Sequence, residues 1–188
     1  NHFYYFRDKL LPKLKNEVFQ KDLRIWSAGC ATGEEPYTLT MIIDEFFGKE
    51  LNEWDTKILA TDISTYALEV AKSGVYLSDQ IESLPDLWKL NYFKRTEDKS
   101  YEIIDRVKYN VIFRRFNLME NVFPFRKKFH VILCRNVMIY FDYETKIKLL
   151  KKFYDCLETG GYLFIGHAES INCEDVNFKY VIPSVYQK

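Results

Sequence analysis

The chain has little of what several architectures require. Its 188 residues include only 7 glycines and 5 prolines, too few for a collagen-like or low-complexity disordered chain. Its four cysteines, Cys30, Cys134, Cys156 and Cys173, are widely spaced with no C-x-x-C pair. Neither a disulfide framework nor a zinc knuckle is indicated, so the thiols read as reduced and no metal is expected. Neither sign of charge is in excess, since 27 Lys and Arg stand against 27 Asp and Glu. The basic surplus that nucleic-acid binding ordinarily needs is missing. Apolar runs such as residues 130–134 and 137–141 fall far short of the ~18–20 residues that cross a bilayer, and no signal segment opens the chain. The expected setting is soluble and cytoplasmic, without direct membrane insertion or nucleic acid. The first residue is Asn1 rather than Met, as expected of a piece of a longer protein. What is present is a composition 47% hydrophobic and 17% aromatic, enough large apolar faces to fill one core.

Strands and helices alternate along the sequence. Residues 23–28 (LRIWSA) read as a strand ending in the glycine turn Gly29-x-x-x-Gly33. Pro36 then opens a segment in which Leu39, Ile42, Ile43, Phe46 and Phe47 recur at helical spacing. Residues 57–61 (KILAT) form a second strand ending at Asp62, Ser64 caps a helix with Leu68 and Ala71 on one face, and Gly74 stops it. Residues 75–94 read as short helical turns, and 99–116 alternates as a hairpin does. The near-continuous apolar run 129–134 (FHVILC) predicts a central strand buried on both faces. Asp142 caps a helix bearing Ile147, Leu150, Phe153, Tyr154 and Leu157; Gly160 and Gly161 are expected to end it, with a strand over 162–165 and a terminal hairpin around Pro183. This order predicts a doubly wound α/β sheet whose ligand lies beyond the carboxyl ends of the strands.

The residues at those ends define the ligand. Gly29 and Gly33 let backbone approach it closely, although a glycine turn also serves merely to join strand to helix. Glu34 and Glu35 stand where a dinucleotide pyrophosphate would meet the helix N-terminus; each close carboxylate–phosphate pair would cost about 1 kcal/mol, and the third glycine of G-x-G-x-x-G is missing. Asp62, 29 residues after Gly33, is placed to accept from two ribose hydroxyls, with helix capping as the alternative role. A positively charged nucleoside without phosphates fits S-adenosylmethionine. Cys30 and Cys134 line the expected site without a partnering His, which argues against a thiol nucleophile, and His167 reads as a hydrogen-bonded structural residue.

Four blocks, RIWSAGCATGEEPYTLTM (24–41), ILATDIS (58–64), FHVILCRNVMIYFD (129–142) and LETGGYLFIGHAESI (157–171), closely resemble the catalytic domain of the CheR family of chemotaxis receptor methyltransferases. The resemblance implies a class I S-adenosylmethionine-dependent methyltransferase, a Rossmann-like doubly wound sheet, that esterifies glutamate γ-carboxylates on the cytoplasmic domain of methyl-accepting chemotaxis receptors and releases S-adenosylhomocysteine. Carried over by position, Gly29, Gly33, Glu34 and chiefly Glu35 would contact the amino-acid end of the cofactor. Asp62 would take the ribose, Asn117 and Leu118 would border the adenine, Cys134 and Arg135 would lie against the cofactor, and Tyr140 would stand near the methyl group. NHFYYFRD (1–8) is similar to the family's N-x-T-x-F-F-R segment, which assigns Asn1, Phe3 and Arg7 to the cofactor site.

There are departures. Phe3 stands for the usual Thr and Tyr5 for a Phe, the stretch after Arg7 is several residues shorter, and the family's amino-terminal helical domain has no counterpart here. Residues 99–116 resemble the small β-subdomain insertion but lack the glycines associated with receptor-tail docking, so that docking is not expected. A glutamate carboxylate, with a free pKa near 4.3, is already ionised at neutral pH and needs no general base. Arg7 and Tyr140 are accordingly assigned to positioning it, with Arg135 a further candidate cation. Two other readings stand beside this one. One is a regulatory module that binds the cofactor without activity, the other methyl transfer to a different acceptor, against which neutral charge and CRNVMIY in place of an N/D-P-P-Y sequence both weigh.

Overall fold

The computed structural model describes residues 2–173 and 175–188. A helical rod begins the chain, formed by α1 (His2–Tyr5), a π-helical turn at Phe6–Leu10 and α2 (Leu11–Glu17); it buries Phe6, Leu10, Leu11 and Leu14 along one side. There follow β1 (Ile25–Ala28), α3 (Glu34–Phe47), β2 (Ile58–Asp62), α4 (Thr65–Ser73), β3 (Val75–Tyr76), α5 (Asp86–Tyr92), β4 (Phe93–Arg95), β5 (Tyr101–Ile103), α6 (Asp105–Lys108) and β6 (Val111–Arg115). The remainder is β7 (Phe129–Cys134), α7 (Tyr143–Cys156), β8 (Leu157–Ile165), β9 (Lys179–Ile182) and β10 (Val185–Gln187).

Seven strands form the main sheet in the order β6-β2-β1-β7-β8-β10-β9. The five from β6 to β8 are mutually parallel, and β10 runs antiparallel to β8 and to β9. The sheet is the doubly wound α/β form expected, with its chain order reversing between β1 and β7 and a carboxyl-end crevice at that switch. Alternate residues on each strand face opposite ways, so both faces are buried. Ile25, Val131, Leu133, Tyr162 and Phe164 pack toward the N-terminal rod and α3. Trp26, Ile132, Leu163 and Ile165 pack with the α7 residues Leu149, Leu150 and Phe153 on the other side. Trp26, with no exposed surface, meets Phe116, Phe123, Phe125 and Phe153 edge-on at centroid distances of 4.7–5.9 Å, and its indole N–H donates to Thr61 Oγ1 at 2.9 Å.

Two local expectations are revised. Residues 99–116 do not fold back as one hairpin: β5 lies in the middle of a small three-stranded sheet, β3-β5-β4, while β6 joins the edge of the main sheet, parallel to β2. Gly160 and Gly161 do not stop α7, which ends at Cys156; both lie within β8. Gly160 has φ +79°, and a Cβ on Gly161 would meet Glu158 O at 2.9 Å and His130 O at 3.2 Å, beside a register irregularity in the β7–β8 pair. The glycines serve a bulge where two backbones approach. Among the described residues no helix is long and apolar enough to cross a membrane.

Candidate functional site

A cavity of about 610 Å³ opens at the switch point. Its walls come from four strand ends: Gly29 to Ala31, with Glu34 and Glu35, after β1; Asp62 and Ile63 at the end of β2; residues 116–119 after β6; and Arg135 to Val137, with Tyr140 and Phe141, after β7. Gly29 and Gly33 have φ of +82° and +96°, and a Cβ on Gly29 would lie 2.4 Å from Val137 Cγ2. A side chain is thereby excluded at these two positions of the turn between β1 and α3. Gly33 lines no part of the cavity; it heads α3, and its Cα hydrogens face Ala71 and the Tyr76 hydroxyl.

The polar side of the cavity is anionic and braced. Asp62 accepts from the amides of Ala31 and Ser64, at 2.9 Å each, so its carboxylate holds the glycine turn against the start of α4. The cap of that helix is Ser64, whose hydroxyl accepts from Ala67 N. Glu35 accepts from Ser27 Oγ at 2.8 Å and from Arg135 Nη1 at 3.0 Å. Burial raises its pKa, outweighing the opposite pull of Arg135 and of the Ser27 hydroxyl. Glu34 accepts from Thr32 Oγ1 at 2.7–2.8 Å. Arg135 also lies under the Phe3 ring, 5.4 Å from its centroid, and its buried Nε has no hydrogen-bond partner among the described residues. The other side of the cavity is apolar, formed by Ile63, Phe116, Leu118, Met119, Val137 and Phe141.

The structure gathers Gly29, Glu34, Glu35, Asp62, Asn117, Leu118, Arg135 and Tyr140 of the expected site around this one space. Phe3 reaches it only through Arg135, and Asn1 lies outside the described residues. Cys134 faces away, among the apolar residues beneath α7, and burial drives its thiol pKa upward; that of Cys30, at the cavity, is pushed up to about 12, chiefly by burial. Arg7 is not brought to the cavity. It is exposed, pairs with Asp8 at 2.6 Å, rests 5.2 Å from the Tyr4 ring, and feels the charge of Glu45. Glu45 lies 11 residues along α3 from Glu34, about 16 Å at a helical rise of 1.5 Å per residue. Arg7 thus lies toward the far end of α3 from the cavity. His167 stacks on buried His2, 4.3 Å between centroids, and burial followed by Arg135 lowers the His2 pKa to about 4. The sequence did not point to Ser27 or to the apolar wall apart from Leu118; the only signal for them was their place at or just beyond a strand end.

A zwitterionic nucleoside suits these residues. Its ammonium matches Glu34 and Glu35, its ribose hydroxyls match the Asp62 carboxylate, and its base matches the apolar side around Ile63, Phe116, Leu118 and Met119. A polyphosphate would meet three carboxylates instead.

The family described as "CheR methyltransferase, SAM binding domain" matches residues 1–186. A chemotaxis protein methyltransferase of Borreliella burgdorferi is 42% identical over 200 residues, covering 100% of this chain and 70% of that protein. A probable chemotaxis protein methyltransferase of Rhizobium etli is 36% identical, covering 93% of this chain and 66% of its own length. Chemotaxis protein methyltransferase 2 of Vibrio cholerae is also 36% identical, covering 92% and 63%. The chain therefore spans about two thirds of the length of these relatives.

Proposed function

Because the chain belongs to the CheR methyltransferase family, with a class I fold and S-adenosylmethionine as its cofactor, we propose that it methylates glutamate γ-carboxylates on the cytoplasmic domain of methyl-accepting chemotaxis receptors, giving methyl esters and S-adenosylhomocysteine. The observation that carries this reading is the pairing, in one cavity, of an anionic, phosphate-averse side with Tyr140, which is 82% exposed and whose hydroxyl has no hydrogen-bond partner among the described residues.

When bound, the cofactor supplies an electrophilic methyl group and a sulfonium charge that favours an ionised acceptor. Asp62 would hold the ribose while keeping the glycine turn in place. Glu35 and Arg135 would grip the amino-acid end, and Asn117 with Leu118 would border the base. The acceptor glutamate is ionised at neutral pH, so no residue need remove a proton. What remains is alignment, worth several kcal/mol, and the Tyr140 hydroxyl would donate a hydrogen bond to the entering carboxylate. That bond must stay modest, because stabilising the ground-state anion more than the transition state slows transfer. Arg135, already neutralised by Glu35, serves the cofactor rather than the acceptor, and Arg7 has no part at the cavity.

The test is incubation of the chain with methyl-labelled cofactor and a receptor cytoplasmic fragment. Alkali-labile label on the receptor is expected. Cofactor binding without transfer would instead support the regulatory-module reading, and alkali-stable label would support another acceptor.

A further inference from the structure

The cavity wall that carries Tyr140 has few anchors of its own. After β7, residues 136–140 line the cavity as a loop that ends in a short 3-10 turn, Met138–Tyr140. Met138 is buried and Val137 half-buried against the same core cluster, but Ile139 is 45% and Tyr140 82% exposed, so apolar packing holds the start of this segment and leaves its Tyr140 end without such support. Asn136 holds a left-handed backbone, φ +59°, a conformation that asparagine tolerates better than most other side chains and that turns the chain sharply after β7.

One side chain gathers the amides of this segment. Glu169, on the turn after β8 and 9% exposed, accepts from Ile139 N with Oε1 at 3.1 Å, and with Oε2 from Asn136 N at 3.3 Å and Gly166 N at 2.5 Å. Three amides from two loops thus converge on one carboxylate. The loops also touch directly: a Cβ on Gly166 would lie 2.5 Å from Asn136 Oδ1 and 2.8 Å from Asn136 N. Only glycine permits that approach. The demand is for an acceptor with no donor, which a carboxylate meets and an amide side chain does not.

We propose that Glu169 is a positioning residue, whose carboxylate fastens residues 136–140 to the β8 turn and so sets the acceptor side of the cavity, where Tyr140 stands. The cofactor side is held separately, by Asp62 and by the Glu35–Arg135 pair. Loss of the Glu169 bonds therefore loosens the acceptor wall while sparing the cofactor. The kinetic consequence rests on the methyltransferase reading; the structural one does not.

The test is Glu169→Gln, which keeps the side-chain shape but turns an N–H₂ toward the converging amides. Hydrogen exchange at Ile139 and Asn136 is expected to accelerate about tenfold or more, while β7 amides are unchanged. The dissociation constant for S-adenosylhomocysteine should stay within about threefold of wild type, and kcat with receptor fragment should fall about tenfold. Unaltered exchange at Ile139 and Asn136, or cofactor affinity lost in step with kcat, overturns the proposal. If Glu169→Gln does not fold, the native chain decides: Ile139 and Asn136 amides that exchange as fast as unprotected loop amides overturn it, and slow exchange there supports it. A wild-type chain without methyl transfer refutes the functional reading alone, since the exchange and binding results stand by themselves.

Discussion

Removing the Asp62 carboxylate is the sharpest perturbation of cofactor binding. Its two oxygens each accept a backbone N–H at 2.9 Å, one from Ala31 in the glycine turn and one from Ser64 at the start of α4. Ala31 itself has φ +46°, so the turn is a strained one that this bond helps to hold. A hydrogen bond to a charged group contributes about 1.5–3 kcal/mol. Asp62→Ala loses the brace on Ala31 together with the acceptors proposed for the ribose, a combined deficit of about 3–5 kcal/mol, or a ~10²- to 10⁴-fold weaker dissociation constant. Asp62→Asn keeps the shape and one acceptor oxygen but turns a donor toward one of the two amides, and should fall between Ala and wild type. Calorimetric titration with S-adenosylhomocysteine measures the loss, with thermal melting followed by circular dichroism to establish that each variant is folded. Folded Asp62→Ala and Asp62→Asn proteins that both bind within about threefold of wild type would refute the reasoning.

Other outcomes follow from the same structure. Tyr140→Phe should leave the dissociation constant for S-adenosylhomocysteine within about twofold while slowing transfer to receptor about tenfold in steady-state kinetics; weakened binding with an unchanged rate would contradict its placement. Burial raises the Glu35 pKa above its ordinary value of 4.5, so ionising this group opposes folding: its contribution to stability is full below the unfolded value and is lost as pH rises through the folded one. Ligand affinity runs the other way, because the ligand's ammonium needs the ionised carboxylate; calorimetry should show affinity falling on acidification with a midpoint above 4.5, and Glu35→Gln should abolish that midpoint. Trp26→Ala should cost about 3–5 kcal/mol in urea denaturation, since the fully buried indole sits amid five aromatic rings; a loss below about 1 kcal/mol would contradict this packing.

The central strands were legible because they are buried on both faces and read as unbroken apolar runs: β7 spans the expected 129–134, and β1 and β2 fall within a residue or two of their expected bounds. The helix starts were legible because capping is local chemistry, Ser64 accepting from Ala67 N and Asp142 from Thr145 N. What escaped depends on partners distant in sequence. The same Val111–Arg115 alternation serves a hairpin or an edge strand, and pairing with β2 decided it. Gly160 and Gly161 carry the signature of a helix stop, yet the approach of the His130 backbone makes them a bulge. Within the site, residues joined to strand ends were found, whereas Arg7 was assigned by likeness to a motif after which the chain is several residues shorter than the family's. Glu169 lay in a recognisable block, but nothing local to it reveals that its carboxylate reaches amides 30 and 33 residues away.

The claim beneath all of this is that the cavity receives a phosphate-free, zwitterionic nucleoside. Calorimetric titration of the chain with S-adenosylhomocysteine, beside NAD and ATP under the same conditions, measures it directly. One-to-one binding of S-adenosylhomocysteine, abolished by Asp62→Ala, with no binding of either phosphate compound, is expected. Saturable binding of NAD or ATP by a chain that leaves S-adenosylhomocysteine unbound would contradict it.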